Sequence, residues 1–228
     1  MTQRLVIPSR EEVDSEHPLT HPWWQFSARF NVAVTQSIPV ARMHSQESEG
    51  VMMRWGLARK TPQGDIALSS REAVSRDAVQ TAEALRTQWQ HGQRGIVPLA
   101  GFYLWQRTAA GHAQPYYVRL VNRPVFGIAA LWDRVESEEG DVLESCVLIT
   151  VDANPLLAEI DNMTRRMPVI LPREKYETWL SGSVSDATQL LVAYPHTAMV
   201  CHPVGPHVNH LEFQDSSLIR PVTLDPEL

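Results

Sequence analysis

Few side chains in this sequence are equipped for chemistry. Three histidines, His202, His207 and His210, lie close together and raise the question of a metal. Pro203, Gly205 and Pro206 interrupt them, and no cysteine or carboxylate stands at ligand spacing, so no metal site is expected. Ser69-Ser70 lacks the glycine-bearing turn that exposes a nucleophilic serine. Cys146 sits in the apolar run Cys146-Val147-Leu148-Ile149-Thr150-Val151 and Cys201 follows Met199-Val200, which marks both as buried strand residues. Two cysteines outside any Cys-x-x-Cys pair also build no disulfide framework. Arginine remains. Arg71, Arg76, Arg86, Arg94, Arg165 and Arg166 stand apart from the acids at Glu11-Glu12, Glu47–Glu49 and Glu136–Glu144. A guanidinium fork matches phosphate oxygens. The net charge of -6 argues, as a sum, against nucleic acid, yet this distribution leaves room for a local basic groove.

The elements that must position these residues follow from patterning. A chain of 228 residues, 43% hydrophobic and 20% charged, fits a soluble globular protein with a substantial core. No apolar run nears the roughly 20 residues of a membrane helix. Met1 to Pro8 lacks the apolar stretch of a signal peptide, so a cytoplasmic protein is expected. The first thirty residues read as irregular, with Trp23-Trp24 tucked onto the body. Strands are predicted at Ile38–Met43 and Gly50–Leu57, around a polar turn at Ser45–Glu49. Ser70 to Gln90 carries Val74, Val79, Ala82, Leu85 and Trp89 at helical spacing, with a stop at His91-Gly92. Gly95–Leu99, Gly101–Arg107, Pro115–Val121, Val125–Trp132 and Cys146–Val151 are β-rich, and Glu136–Glu144 reads as an exposed hairpin tip. Asn154–Met163 and Pro172–Ser181 read as short helices, and Val204–Val222 as a tail ending on an apolar run. With no repeat, low-complexity segment or linker, residues 1–228 read as one compact α+β domain. Antiparallel sheet dominates it, around a barrel-like core with a few short helices.

Seven segments, in order along most of the chain, carry a resemblance. They include Arg29-Phe30-Asn31-Val32-Ala33, Arg54-Trp55-Gly56-Leu57, Val97-Pro98-Leu99-Ala100-Gly101-Phe102-Tyr103-Leu104-Trp105 and Pro115-Tyr116-Tyr117 with Ala129-Ala130-Leu131-Trp132. Thr150-Val151-Asp152-Ala153-Asn154, Arg166-Met167-Pro168-Val169-Ile170-Leu171 and His202-Pro203-Val204 with Leu218-Ile219-Arg220-Pro221-Val222 continue the series. Together they resemble the SOS-response-associated peptidase family of abasic-site processing proteins, of which this chain looks like a diverged member. The resemblance implies a compact fold around antiparallel sheets with a groove for single-stranded DNA. Family members trap the sugar aldehyde of an abasic site on an N-terminal cysteine, as a stable thiazolidine.

The resemblance also implies that this chemistry is lost. It needs an α-amine to form a Schiff base and a thiolate to close the ring. Position 2 is Thr2, whose hydroxyl is a far weaker nucleophile and whose oxazolidine would hydrolyse readily. The family's asparagine falls at or near Ser69 and its glutamate at Leu104, which cannot transfer a proton. Its histidine falls at Thr164 or Asp161, according to which flank is counted from. The positions that would face DNA are kept as Arg4, Asn31, Arg71 and Arg166, and Trp55 and Phe30 either pack beneath the groove or stack on bases. The stretch Ala58–Asp65, where the family wedges into DNA, is polar.

The leading expectation is a catalytically silent binder of single-stranded or abasic DNA that calls for no cofactor. Two alternatives stand beside it: residual Schiff-base chemistry through the Thr2 amine, and a protein-interaction role on the same fold.

Overall fold

The computed structural model describes residues 4–15, 24–44 and 47–224. In chain order the elements are β1 (Arg4–Ile7), α1 (Arg10–Ser15), β2 (Arg29–Ala33), β3 (Ser37–His44), β4 (Glu47–Trp55), β5 (Leu57–Lys60), β6 (Ile66–Ser69) and β7 (Ala73–Ser75). Helices α2 (Arg76–Thr81) and α3 (Glu83–Gln90) precede β8 (Arg94–Leu99), β9 (Gly101–Arg107), β10 (Ala113–Leu120), β11 (Phe126–Glu136) and β12 (Val142–Asp152). Then come α4 (Pro155–Ile160), β13 (Arg166–Pro168), β14 (Ile170–Leu171), α5 (Tyr176–Ser181), α6 (Val184–Gln189) and β15 (Met199–Pro203).

Five strands close a barrel. β4, β3, β8, β11 and β12 pair antiparallel in that order, and β12 returns to β4 in parallel, with Ser145 opposite Arg54 and Cys146 opposite Trp55. These strands are Val-, Ile- and aromatic-rich runs. Ile38, Val40, Trp55, Ile96, Phe126, Ile128 and Val147 lose all contact with water, which is the main driving force for closure. β7 and β13 extend the ladder along β12, β7 in parallel.

A second, antiparallel sheet runs β15-β10-β9-β1-β2. It grows from the barrel because β8 continues into β9 through Ala100, whose N–H donates to the Val6 carbonyl at 2.9 Å. β9 alternates between two cores. Phe102 and Leu104 face the barrel side, where Phe102 meets Phe126 edge to face at 6.5 Å. Tyr103 and Trp105 face the opposite way, with Val6, Tyr117, Val204, Val208 and Leu218. Gly101 is required here: a methyl at that position would overlap the ring of Tyr117, whose hydroxyl donates to the Ala100 carbonyl at 3.0 Å.

Several expectations are corrected. The N-terminal stretch holds β1, α1 and β2. Helix α1 is opened by Ser9 and Glu12, each side chain accepting from the other's backbone N–H, a capping box legible in Ser9-Arg10-Glu11-Glu12. Trp24 is buried and its indole N–H donates to the Val51 carbonyl at 3.1 Å, whereas Trp23 lies outside the described residues. The single helix expected over Ser70 to Gln90 is three pieces. Val74 belongs to β7, drawn into a parallel ladder on Ile149. Ser75 caps α2 by accepting from the Ala78 N–H, and Ala82, in extended conformation, breaks α2 from α3. The helix expected from Asn154 ends at Ile160, with Asn154 as its cap, and that from Pro172 starts as a tight 3-10 turn before α5. Of the turn expected at Ser45–Glu49, residues 47–49 already pair in β4 and residues 45–46 lie outside the described residues. Among the described residues no helix is long and apolar enough to cross a membrane.

Candidate functional site

Arg4 opens β1, opposite Ala33 on one side and Tyr103 on the other. It is half-buried, and that burial lowers the pKa of its guanidinium. Thr2 lies outside the described residues. One step along β9 from Tyr103 is Leu104, fully buried in the main core. Its hydrocarbon side chain packs where a proton-transferring group would need access to water or substrate.

Helix α4 packs on β9 and carries the turn that follows it to the same place. Gln106 donates to the Glu159 carbonyl at 3.0 Å. Asn162 clasps Arg107 twice, accepting from its N–H at 3.0 Å and donating to its carbonyl at 2.8 Å. The turn closes through Arg165, which takes a positive φ of 50° and donates its N–H to the Asp161 carbonyl at 2.8 Å. Inside it, Asp161 is 2% exposed. Burial alone would push its carboxyl up, but the Thr164 hydroxyl and the Thr164 N–H, at 3.1 Å, both donate to it and hold it below the usual carboxylate range. A buried, charged carboxylate thus stands beside the strand that carries Leu104.

Asn31 lies wholly in the interior. Its amide donates to the carbonyls of His210 and Phe213 at 3.0 and 3.1 Å, and its own carbonyl accepts from Gln214 at 3.1 Å. In this conformation it clamps the C-terminal segment and presents nothing to a ligand. Trp55 is likewise core, its indole N–H donating to the Glu72 carbonyl at 2.8 Å. Phe30 is half-buried against the smaller cluster.

Ser69 and Arg71 are exposed at the end of the β5–β6 hairpin, where Leu57 pairs with Ser69. Gly56, at a φ of 147°, permits the entry to this hairpin, since a methyl there would stand 2.5 Å from the Ser69 carbonyl. Arg59, Ser69, Ser70, Arg71, Glu72 and Ala73 line one open recess of about 550 Å³. Arg166 lies elsewhere, on β13. It donates to the Asp152 carboxylate at 2.6 Å and to the Thr150 carbonyl at 2.8 Å, and shares a recess of about 190 Å³ with Arg76 and Asp77. On β12 the partners of Ala73 and Arg166 are Leu148 and Asp152, a separation of roughly 13 Å at ordinary strand rise. β7 and β13 pair with opposite sides of β12, Thr150 facing Ser75 on one and Pro168 on the other. Arg166 and the strand that follows Arg71 therefore belong to the barrel sheet, while Arg4 and Asn31 belong to the other sheet.

Arg59 was not singled out by its sequence, although an exposed arginine within the polar Ala58–Asp65 stretch was the available signal. The histidines have separate partners: His202 bonds the Ile219 carbonyl at 2.8 Å, His207 meets Phe213 edge on, and His210 stands 3.8 Å from Glu212. Among the described residues no group of three His, Cys, Asp or Glu side chains is arranged to hold a metal ion. Burial pushes up the thiol pKa of Cys146, and raises that of the half-buried Cys201 together with the nearby Glu159 charge.

Comparison with known proteins agrees with this architecture. Residues 4–211 match the family model described as SOS response associated peptidase (SRAP). Abasic site processing protein YobE of Bacillus subtilis (strain 168) is 26% identical over 202 residues, covering 86% of this chain and 89% of that protein. Abasic site processing protein HMCES of Rattus norvegicus is 25% identical over 246 residues, covering 89% of this chain and 69% of that protein. A crystal structure of a protein from Bordetella bronchiseptica superposes with a TM-score of 0.73 at 22% identity, over 90% of this chain and 100% of that one. That last likeness speaks to the fold alone.

Proposed function

Since the chain belongs to the SOS response associated peptidase family, we propose that it binds single-stranded or abasic-site DNA in the cytoplasmic response to DNA damage, as one domain over residues 1–228, without forming the thiazolidine crosslink. Its named relatives are abasic site processing proteins, which supports a DNA substrate. The observation that carries the loss of crosslinking is Leu104. It occupies the family's glutamate position and is packed, without exposure, into the hydrophobic core. Nothing at that position moves a proton. Thr2, in place of a cysteine, removes the thiolate that would close the ring. Binding then falls to arginines: Arg71, exposed beside the hairpin; Arg166, fixed by Asp152; and Arg4, at the head of β1. Asn31 acts indirectly, by holding the segment that contains His210 and Phe213.

A second reading rests on Asp161. Its carboxylate is ionised and stands beside β9, where it can accept a proton, although the two Thr164 hydrogen bonds that lower its pKa also make it a weak base. Were Met1 removed, the Thr2 amine would add to the C1′ aldehyde of an abasic site and lose water to give an imine. Asp161 would take the C2′ proton as the 3′-phosphate leaves.

Fluorescence anisotropy of a labelled strand containing an abasic site, at low and moderate salt, tests both readings when paired with borohydride trapping. Salt-sensitive binding without an adduct is the expected result. An adduct that is lost in Asp161→Asn replaces the first reading with the second. Absence of binding at low salt removes both and leaves the protein-interaction role.

A further inference from the structure

The recess beside the β5–β6 hairpin contains a group that the proposed DNA contacts leave out. Arg59 stands on β5, opposite Ala67 of β6, and Arg71 follows the hairpin's last strand by two residues. Both are exposed, and both line the same open recess with the hydroxyl-bearing Ser69 and Ser70. Among the described residues neither guanidinium pairs with a carboxylate, whereas Arg42, Arg134 and Arg166 each have an acidic partner. Two exposed guanidiniums lining one recess raise its positive potential and favour an anion there. The surrounding frame is rigid. Arg59 is fixed by a four-residue antiparallel ladder, and the Arg71 end is tied to the barrel by the parallel pairing of β7 with β12. Glu72 also lines the recess and leaves it with one excess positive charge. That matches a single phosphodiester better than a dianion or a run of phosphates.

We propose that Arg59 and Arg71 together clamp one backbone phosphodiester of a bound DNA strand, with Ser69 and Ser70 as additional donors. This rests on the DNA-binding reading and adds to it a residue, a side of the barrel and the chemical group held there. The contact is blind to sequence, because the phosphate carries no base information. It anchors the strand on the hairpin and leaves base or lesion recognition to other surfaces.

The test is anisotropy with a labelled single strand over a salt series, comparing Arg59→Ala, Arg71→Ala, the double variant, Glu72→Gln and a charge-matched control, Arg220→Ala, on the segment covering the other sheet. Arg59→Ala is expected to weaken binding about fivefold, alike for strands of different sequence. Its log–log salt slope is expected to fall by about 0.7, the contribution of one phosphate on a single strand. The double variant should lose less than the product of the single losses, because the two side chains hold the same group. Glu72→Gln should bind tighter than wild type. On a strand with neutral methylphosphonate linkages, the Arg59→Ala effect should vanish. An Arg59→Ala loss no greater than that of Arg220→Ala overturns the clamp, as does a loss that persists on methylphosphonates. If Arg166→Ala still weakens binding in that case, DNA binding stands and only the clamp falls. A wild-type protein without salt-sensitive affinity removes both.

Discussion

The barrel and the five-stranded sheet are held by different means. In the barrel every strand has a neighbour on each side, and the core they enclose is a large, mainly apolar cluster. The sheet is covered on one face by residues 204–221, which contain two 3-10 turns and a single bridge from Val204 to Pro221. That cover is fastened by individual polar bonds: Asn31 to His210 and Phe213, Gln214 to Asn31, His202 to Ile219, and Trp105 to Asn209. Barrel stability is thus spread over many interchangeable contacts, while the cover adds a few directional bonds to a small apolar cluster around Val204, Val208 and Leu218. The arginines follow the same division. Arg71, exposed, and Arg166, half-buried against Asp152, stand on the robust scaffold, whereas Arg4 and the clamping Asn31 depend on the hooked one.

Substitutions can break this contrast region by region. Phe126→Ala, in the barrel beside Phe102, should cost about 3–5 kcal/mol, read as a fall in the urea midpoint shared by every probe. Asn31→Leu should cost about 2–3 kcal/mol, and it should do so locally. Hydrogen exchange would speed up across residues 206–214 while barrel amides keep their protection; uniform loss of protection would show that the two regions are one cooperative unit. Asp161→Asn probes the seam between them and should cost about 1.5 kcal/mol at neutral pH, the value of a charged hydrogen bond. Because the folded-state pKa is depressed, wild-type stability from this group is complete above the unfolded value of about 3.9 and drains away as pH falls through the lower folded value. The urea midpoints of wild type and variant should therefore converge below about pH 3.9. The smallest effect is kinetic. A thiol reagent should label Cys201, half-buried on the sheet's edge strand, before Cys146, which is sealed in the barrel and should react only on unfolding.

The same contrast explains what the sequence disclosed. Barrel strands such as Ile38–Met43 and Cys146–Val151 were legible because their apolar patterning is itself the cause of their burial. The break at Ala82 was not legible, since Val74, Val79, Leu85 and Trp89 are all buried but from a strand and two helices rather than one continuous face. β1 was hidden because four residues carry no period, and their strand state comes from β2 and β9, both distant in the chain. At the site, the patterning predicts Arg71 at the start of a helix over Ser70 to Gln90, and neither the β5–β6 hairpin before it nor the recess it shares with Arg59 was readable. Asn31 shows the converse: a polar residue in a matching motif suggests a surface contact, and only the fold reveals that its bonds point inward.

The parallel return of β12 to β4 also fixes an order of events during synthesis. Ala58 donates to Ser145 across 87 positions of chain, so β4 has no partner on that side until the ribosome has delivered β12. Such long-range closure is slow, because the entropy of ordering the intervening chain is lost before the contacts form. Until then the nascent protein presents an unpaired edge flanked by Met53 and Trp55. Those are the conditions under which one growing chain zips onto another, and they make elongation speed through residues 58–145 a determinant of yield.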